Sequence, residues 1–106
     1  MLQAKPARGF VAVLVIELRF HDAGSLKAKR KELSSVKAQL RTRLGVAVAE
    51  IDNQDLWQRG TLSAALTGAS LPALSAAADN VERWLGARFG DEVRVERLVA
   101  SLEDLR

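Results

Sequence analysis

The sequence predicts an α+β sandwich in which a four-stranded antiparallel sheet carries two helices on one face. Three observations predict it. Phe10–Phe20 and Gly60–Thr67 alternate apolar residues at period two, the signature of a strand. Each is followed by a longer stretch whose apolar residues recur at helical spacing. Two shorter segments, Val46–Asp52 and Glu92–Ala100, follow those helices and read as further strands. The 106 residues suit one domain, spanning residues 10–100, with no internal linker or repeat.

Met1–Gly9 (MLQAKPARG) lacks periodicity and contains Pro6, so a flexible arm is expected there. In the first strand Phe10, Ala12, Leu14, Ile16, Leu18 and Phe20 share one side, while Val11, Val13 and Val15 occupy the other. A strand apolar on both faces belongs in the middle of a sheet. His21–Gly24 forms a turn, Ser25 can cap a helix with its hydroxyl, and Gly45 is placed to stop that helix. Leu26, Leu33, Val36, Leu40 and Leu44 form its apolar stripe.

The second strand is read with Ala47, Ala49 and Ile51 toward the helices, which puts Val46, Val48, Glu50 and Asp52 on the open face. In the third, Gly60, Leu62, Ala64 and Leu66 face the helices, with Trp57 and Arg59 opposite. Ser70 caps a second helix that tolerates Pro72 in its first turn and buries Leu74, Ala78, Val81, Leu85 and Phe89 before Gly90. Trp84 lies on its flank as packing. Val93 and Val95 anchor the fourth strand, and 101–106 reads as a polar tail. Two right-handed crossovers around a hairpin give the strand order 4-1-3-2, the ferredoxin-like βαββαβ arrangement.

Composition excludes several chemistries. The absence of cysteine removes disulfides, Cys-ligated zinc and thiol catalysis, and suits a cytoplasmic protein. The longest apolar run, Phe10–Ile16, falls far short of the roughly 20 residues that span a bilayer. Lys5 and Arg8 precede it as in a signal peptide, yet Glu17-Leu18-Arg19 follows with no small-residue cleavage site. His21 is the only histidine, and no GxSxG, Walker or GxGxxG motif is present. Asp52, Asn53 and Asp55 suggest calcium, but an EF-hand needs oxygens at alternate positions, which would be Asp52, Gln54 and Leu56. A non-enzymatic protein without metal or cofactor is expected.

Charge points to binding instead. The first 53 residues hold ten of the sixteen Lys and Arg but five of the thirteen acids. The first helix carries Lys27, Lys29, Arg30, Lys31, Lys37, Arg41 and Arg43 against the single acid Glu32. At 100° per residue, Lys27, Arg30, Lys31, Lys37 and Arg41 fall within about a third of the circumference, beside the apolar stripe. Four cations crowd the first two turns, at the positive end of the helix dipole, where each costs about 0.3–1 kcal/mol. A bound phosphate would reverse that cost; the alternative is a solvated face stabilised by packing. Phe10 and Phe20 are the only aromatics of the two central strands and both face the core, so recognition of RNA is expected by phosphate contact rather than base stacking.

The open face is the second candidate. Val11, Val13, Val15, Val46 and Val48 would be exposed beside Trp57 and Arg59, a patch that suits self-association as a homodimer. Trp57 is then either an interface anchor or a ring folded over the hairpin end.

The segment SLKAKRKELSSVKAQLRTRLGVAVAEIDNQDLWQRGTL, Ser25–Leu62, resembles the YlxP-like family of small bacterial proteins, the domain of unknown function numbered 503. Two blocks carry the resemblance: Ser25, Leu26, Lys27, Lys29 and Arg30 in the first, and Gln54, Asp55, Leu56, Trp57 and Gln58 in the second. It extends more loosely from Phe10 to Val99. The resemblance implies a ferredoxin-like fold and a setting near translation, and it implies no reaction. Ala28 stands where the family usually has Glu, Asn53 where His is frequent, and Gly60 where Ala is usual. The absent imidazole at 53 weakens any catalytic or metal reading. The expectation is therefore a cytoplasmic binding protein that contacts RNA or a ribosome-associated partner through the first helix, with neither DNA nor membrane as partner. A self-associating module with no nucleic-acid role is the alternative.

Overall fold

In the computed structural model, which describes residues 7–106, β1 (Phe10–Arg19) is the central strand on which the other elements assemble. It pairs antiparallel with β3 (Arg59–Gly68) on one side and with β4 (Val93–Ser101) on the other. β2 (Ala47–Asp52) joins the outer edge of β3, so the sheet order is β2-β3-β1-β4. Helices α1 (Leu26–Leu44) and α2 (Leu71–Phe89) complete the βαββαβ order. The expected fold is the observed one. Of the expected N-terminal arm, residues 1–6 lie outside the described residues.

The period-two pattern of β1 has the consequence it should. Ala12, Leu14, Ile16, Leu18 and Phe20 are buried beneath the helices, and Val11, Val13 and Val15 stay partly accessible on the open face. Opposite them the helices contribute Leu33, Val36 and Leu40 from α1 and Leu74, Ala78, Val81 and Leu85 from α2. Phe20 meets Phe89 edge to face at 6.1 Å between ring centroids, closing the core at the end of α2. Trp84 packs against the core from the flank, with the Arg88 guanidinium 5.6 Å from its ring centroid.

Both helix starts are capped as their sequences require. The Ala28 N–H donates to Ser25 Oγ at 3.1 Å, and the Ala73 N–H to Ser70 Oγ at 3.2 Å. Gly45 ends α1 in the left-handed conformation, φ 66°, where a Cβ would be strained. On the β4 edge, Arg97 faces the helices and ties the strand to α2 through Asp79, at 2.8 Å, and Glu82. Hydrogen bonds to those two carboxylates, Asp79 first, hold its guanidinium pKa further above the ordinary value. After β4 the chain enters a 3-10 turn, Glu103–Leu105, and the Leu102 N–H bonds the Gly9 carbonyl at 2.9 Å.

One strand is turned over relative to expectation. Val46 and Val48 are buried on the helix side, whereas Ala47 and Ala49 face outward and Ile51 is about half exposed. Both parities of Val46-Ala47-Val48-Ala49 are apolar, so alternation does not choose between them. Volume does: the valines fill space under α1 that alanines would leave empty. The register then slips between Glu50 and Asp52, with Glu50 opposite Leu62 and Asp52 opposite Thr61. Ile51 is the extra residue of this bulge. Glu50 consequently faces the helices and Asp52 the open side.

Candidate nucleic-acid interface

Helix α1 presents its cations as its periodicity dictates. Lys27, Arg30 and Lys31 are exposed and Lys37 is half-buried. None of the four forms an ion pair among the described residues. The first turn contains no acid, so Lys27, Arg30 and Lys31 sit toward the positive end of the dipole without compensation, while Lys37 lies mid-helix. Arg41 is different: its Nη2 donates to the Val48 carbonyl at 2.9 Å, binding α1 to the edge strand β2. Its guanidinium is committed to the fold.

Lys29 is the residue that reading the sequence for charge overlooked. It is fully buried, the largest side chain in the core to be so. Its Nζ donates to the Asn53 carbonyl at 2.9 Å and lies 3.4 Å from Glu50 Oε2. A buried ammonium requires such partners, because desolvation without them costs several kcal/mol. The signal was present in the spacing: Leu26, Lys29, Leu33, Val36 and Leu40 run i, i+3, i+4 down the inner face of α1. Glu50 reaches it only because β2 is turned over.

The loop between β2 and β3 is organised from Asn53. Its φ of 61° is left-handed, a conformation that asparagine tolerates better than most side chains. Its carbonyl accepts from Lys29 Nζ and from the Leu56 N–H at 3.1 Å, and its Nδ2 donates to Thr61 Oγ1 at 2.8 Å. Backbone conformation and two-sided hydrogen bonding, rather than a missing ligand, thus account for asparagine here. At the far end of the loop, the Gln58 carbonyl accepts from the Phe20 N–H at 2.9 Å. Gln54, Asp55, Leu56, Trp57 and Gln58 are exposed between these two anchors, Trp57 by 42%. The two sequence blocks, Ser25–Arg30 and Gln54–Gln58, are therefore joined in space through Lys29.

The open face is ordered in rows across the sheet. Leu98, Val13, Ala65 and Ala47 form one row; Glu96, Val15, Ser63 and Ala49 the next. Toward the α1 N-terminal end come Arg94, Glu17, Thr61 and Asp52, then Arg19 opposite Arg59. Val11 flanks the apolar end, opposite Ala100. Val46 and Val48, placed on this face from the sequence, belong to the core. Leu98, not singled out, is half exposed beside Val13.

A polar hollow of about 330 Å³ lies among Arg19, Arg59, Arg94, Glu17, Asp91 and Glu92. His21 Nε2 is 2.9 Å from Glu92 Oε1 nearby, although its side chain is largely exposed. Among the described residues, no group of three His, Cys, Asp or Glu is placed to hold a metal ion. No helix among them is long and apolar enough to cross a membrane.

Fold and surface together define a ferredoxin-like α+β chain with a basic helix, four of whose cations form no ion pair among the described residues, and a loop held to that helix through Lys29. The chain belongs to the family described as Protein of unknown function (DUF503), whose pattern matches residues 11–97. Over 54 residues it is 37% identical to Uncharacterized protein YlxP of Bacillus subtilis (strain 168). That match covers 51% of this chain and 59% of the relative, less than two thirds of its length. The De novo designed protein Foldit4 is similar with a TM-score of 0.53 and 10% identity, covering 87% of this chain and 96% of that one. That likeness is one of fold alone.

Proposed function

We propose that the protein acts in the cytoplasm by binding rather than catalysis, and that its ligand is RNA, free or within a ribosomal component, held through α1. The observation that carries this reading is the set of four cations, Lys27, Arg30, Lys31 and Lys37, that have no acidic partner among the described residues. Three of them sit where the helix dipole disfavours positive charge and favours phosphate. Binding of single-stranded RNA should weaken as salt rises, with a log–log slope of about −0.7 per phosphate contacted. Four contacts give a slope near −2.8, nearly independent of base sequence. Fluorescence anisotropy on a short labelled RNA measures it. Replacing the four by glutamine should flatten the slope; affinity indifferent to salt, or surviving all four changes, would overturn the reading.

A second reading has its own observation. The rows containing Leu98, Val13, Ala65 and Ala47, and Val15 with Ala49, expose apolar side chains on a face where an antiparallel sheet usually shows polar ones. Strands of 10, 6, 10 and 9 residues, at about 3.3 Å per residue and about 4.8 Å apart, make a face of roughly 550 Å². Two copies would bury roughly 1,100 Å², just above the threshold of about 1,000 Å² for a specific interface, only if the whole face took part, its charged rows included. Self-association through this face supports a homodimer.

A further inference from the structure

We infer that Trp57 is a base-stacking platform, so that the protein grips single-stranded RNA by a stacked base as well as by phosphates. The inference rests on the RNA-binding reading above and adds an interaction that α1 does not supply. Its basis is position. Lys29 belongs to the same turn as Lys27, Arg30 and Lys31, and its Nζ holds the Asn53 carbonyl at 2.9 Å. That bond fixes the start of the tryptophan loop against the cationic turn. The Phe20 N–H holds the Gln58 carbonyl at 2.9 Å, fixing the loop's end against the terminus of β1, next to Arg19 and its cross-strand partner Arg59. Trp57 therefore sits in a loop anchored at one end to the α1 turn that carries Lys27, Arg30 and Lys31 and at the other beside the strand ends that carry Arg19 and Arg59.

The cations on the sheet side differ from those on the helix in lying among carboxylates, since Glu17, Asp91 and Glu92 line the same hollow. Arg19 and Arg59 are directly opposite, both exposed, and neither pairs with an acid among the described residues. Like charges facing each other across a ladder repel; Glu17, Asp91 and Glu92 offset part of that here, and a phosphate would offset the remainder. An exposed indole with cations on the elements that flank its loop can hold a single strand, phosphates meeting the charges while a base lies on the ring. The ring is 42% exposed. Its loop is held from both ends, so little ordering entropy is lost on binding.

Two variants and one spectroscopic readout test it, with a short single-stranded RNA of mixed sequence as the probe. Trp57→Ala should weaken binding roughly 5- to 160-fold, the range for loss of one stacked base, with the salt slope unchanged because stacking carries no charge. Trp57→Phe should retain most of the affinity and Trp57→Leu should not, which separates stacking from apolar packing. In a Trp84→Phe background, where Trp57 is the only indole, RNA should quench its fluorescence; this readout does not depend on Trp57→Ala folding. Arg19→Gln with Arg59→Gln should make the slope shallower by about 0.7 for each phosphate that is no longer neutralised. Salt-sensitive binding with no quenching and an unaltered Trp57→Ala affinity would overturn the stacking role and leave the RNA reading standing. Absence of salt-sensitive binding in the unmodified protein would overturn both. A Trp57→Ala protein that changes oligomeric state with undiminished RNA affinity would assign the ring to self-association instead.

Discussion

Lys29 shows how a single side chain can be read wrongly from its type and rightly from its position. It belongs to a run of cations, yet it occupies the inner face of α1 and is sealed there with Glu50 and Asn53. Removing one partner of a fully buried ion pair costs about 3–5 kcal/mol. Glu50 keeps 20% of its side chain exposed, so Lys29→Met should cost somewhat less, about 2–4 kcal/mol. Adding Glu50→Leu should restore stability to within about 1 kcal/mol of the original, because no uncompensated carboxylate remains. Urea unfolding of the two single variants and the double variant decides this; simple additivity would mean that the pair is not coupled. Gly60 offers the opposite experiment. A Cβ there would lie 3.3 Å from the Phe20 ring and 3.5 Å from Leu33 and Lys29 side-chain atoms. Only the Phe20 ring must give, by a few tenths of an ångström, and where it does Gly60→Ala should stabilise by about 0.4–1 kcal/mol through the unfolded state. A lower melting temperature would show that the Phe20–Phe89 pair cannot move.

Strand β2 and helix α1 form a unit whose parts depend on each other. The helix supplies Lys29 to Glu50 and Arg41 to the Val48 carbonyl, and β2 returns Val46 and Val48 to the core. Val48→Asp should therefore destabilise strongly, by about 3 kcal/mol or more, as an unpaired buried charge does. Ala49→Asp, one residue on, should change stability by about 0.5 kcal/mol or less, since it faces outward. Equal effects on thermal melting would refute the assigned strand parity. Arg41→Gln loses a charge-assisted hydrogen bond and should cost about 1.5 kcal/mol. The four glutamine changes at Lys27, Arg30, Lys31 and Lys37 should instead leave the fold intact and raise stability by a few tenths to about 1 kcal/mol. That contrast separates cations that build the helix's seat from those free to meet a ligand.

At the scale of the molecule, the sheet separates two surfaces that could each be used. The end carrying the α1 N-terminus, the tryptophan loop, Arg19 and Arg59 is densely charged, with Glu17, Asp52, Asp55, Asp91 and Glu92 among its cations; the opposite end of the open face is apolar. If the apolar rows join two copies, Val13→Glu with Leu98→Glu should give a folded monomer from a dimer. Light scattering at high micromolar concentration checks this, and an unmodified protein already monomeric there would end the dimer reading. RNA binding at the charged end should survive those changes, since neither residue lies in the rows that carry Arg19 and Arg59.

Periodicity, two serine caps and two stopping glycines were sufficient for the element order and the sheet topology, because long amphipathic segments have one way to bury their apolar sides. They also placed Lys27, Arg30, Lys31 and Lys37 on the outer side of α1. They did not settle the parity of β2, whose alternate residues are all apolar, since only the volume available beneath α1 distinguishes valine from alanine there. Nor could charge counting distinguish Lys29 or Arg41 from the free cations, because burial and hydrogen-bond partners are made by residues 7 to 24 positions away. The union of the two sequence blocks at Lys29 and Asn53 is likewise a tertiary fact. Local pattern specifies what each segment can become; only packing decides which neighbour each polar group must find.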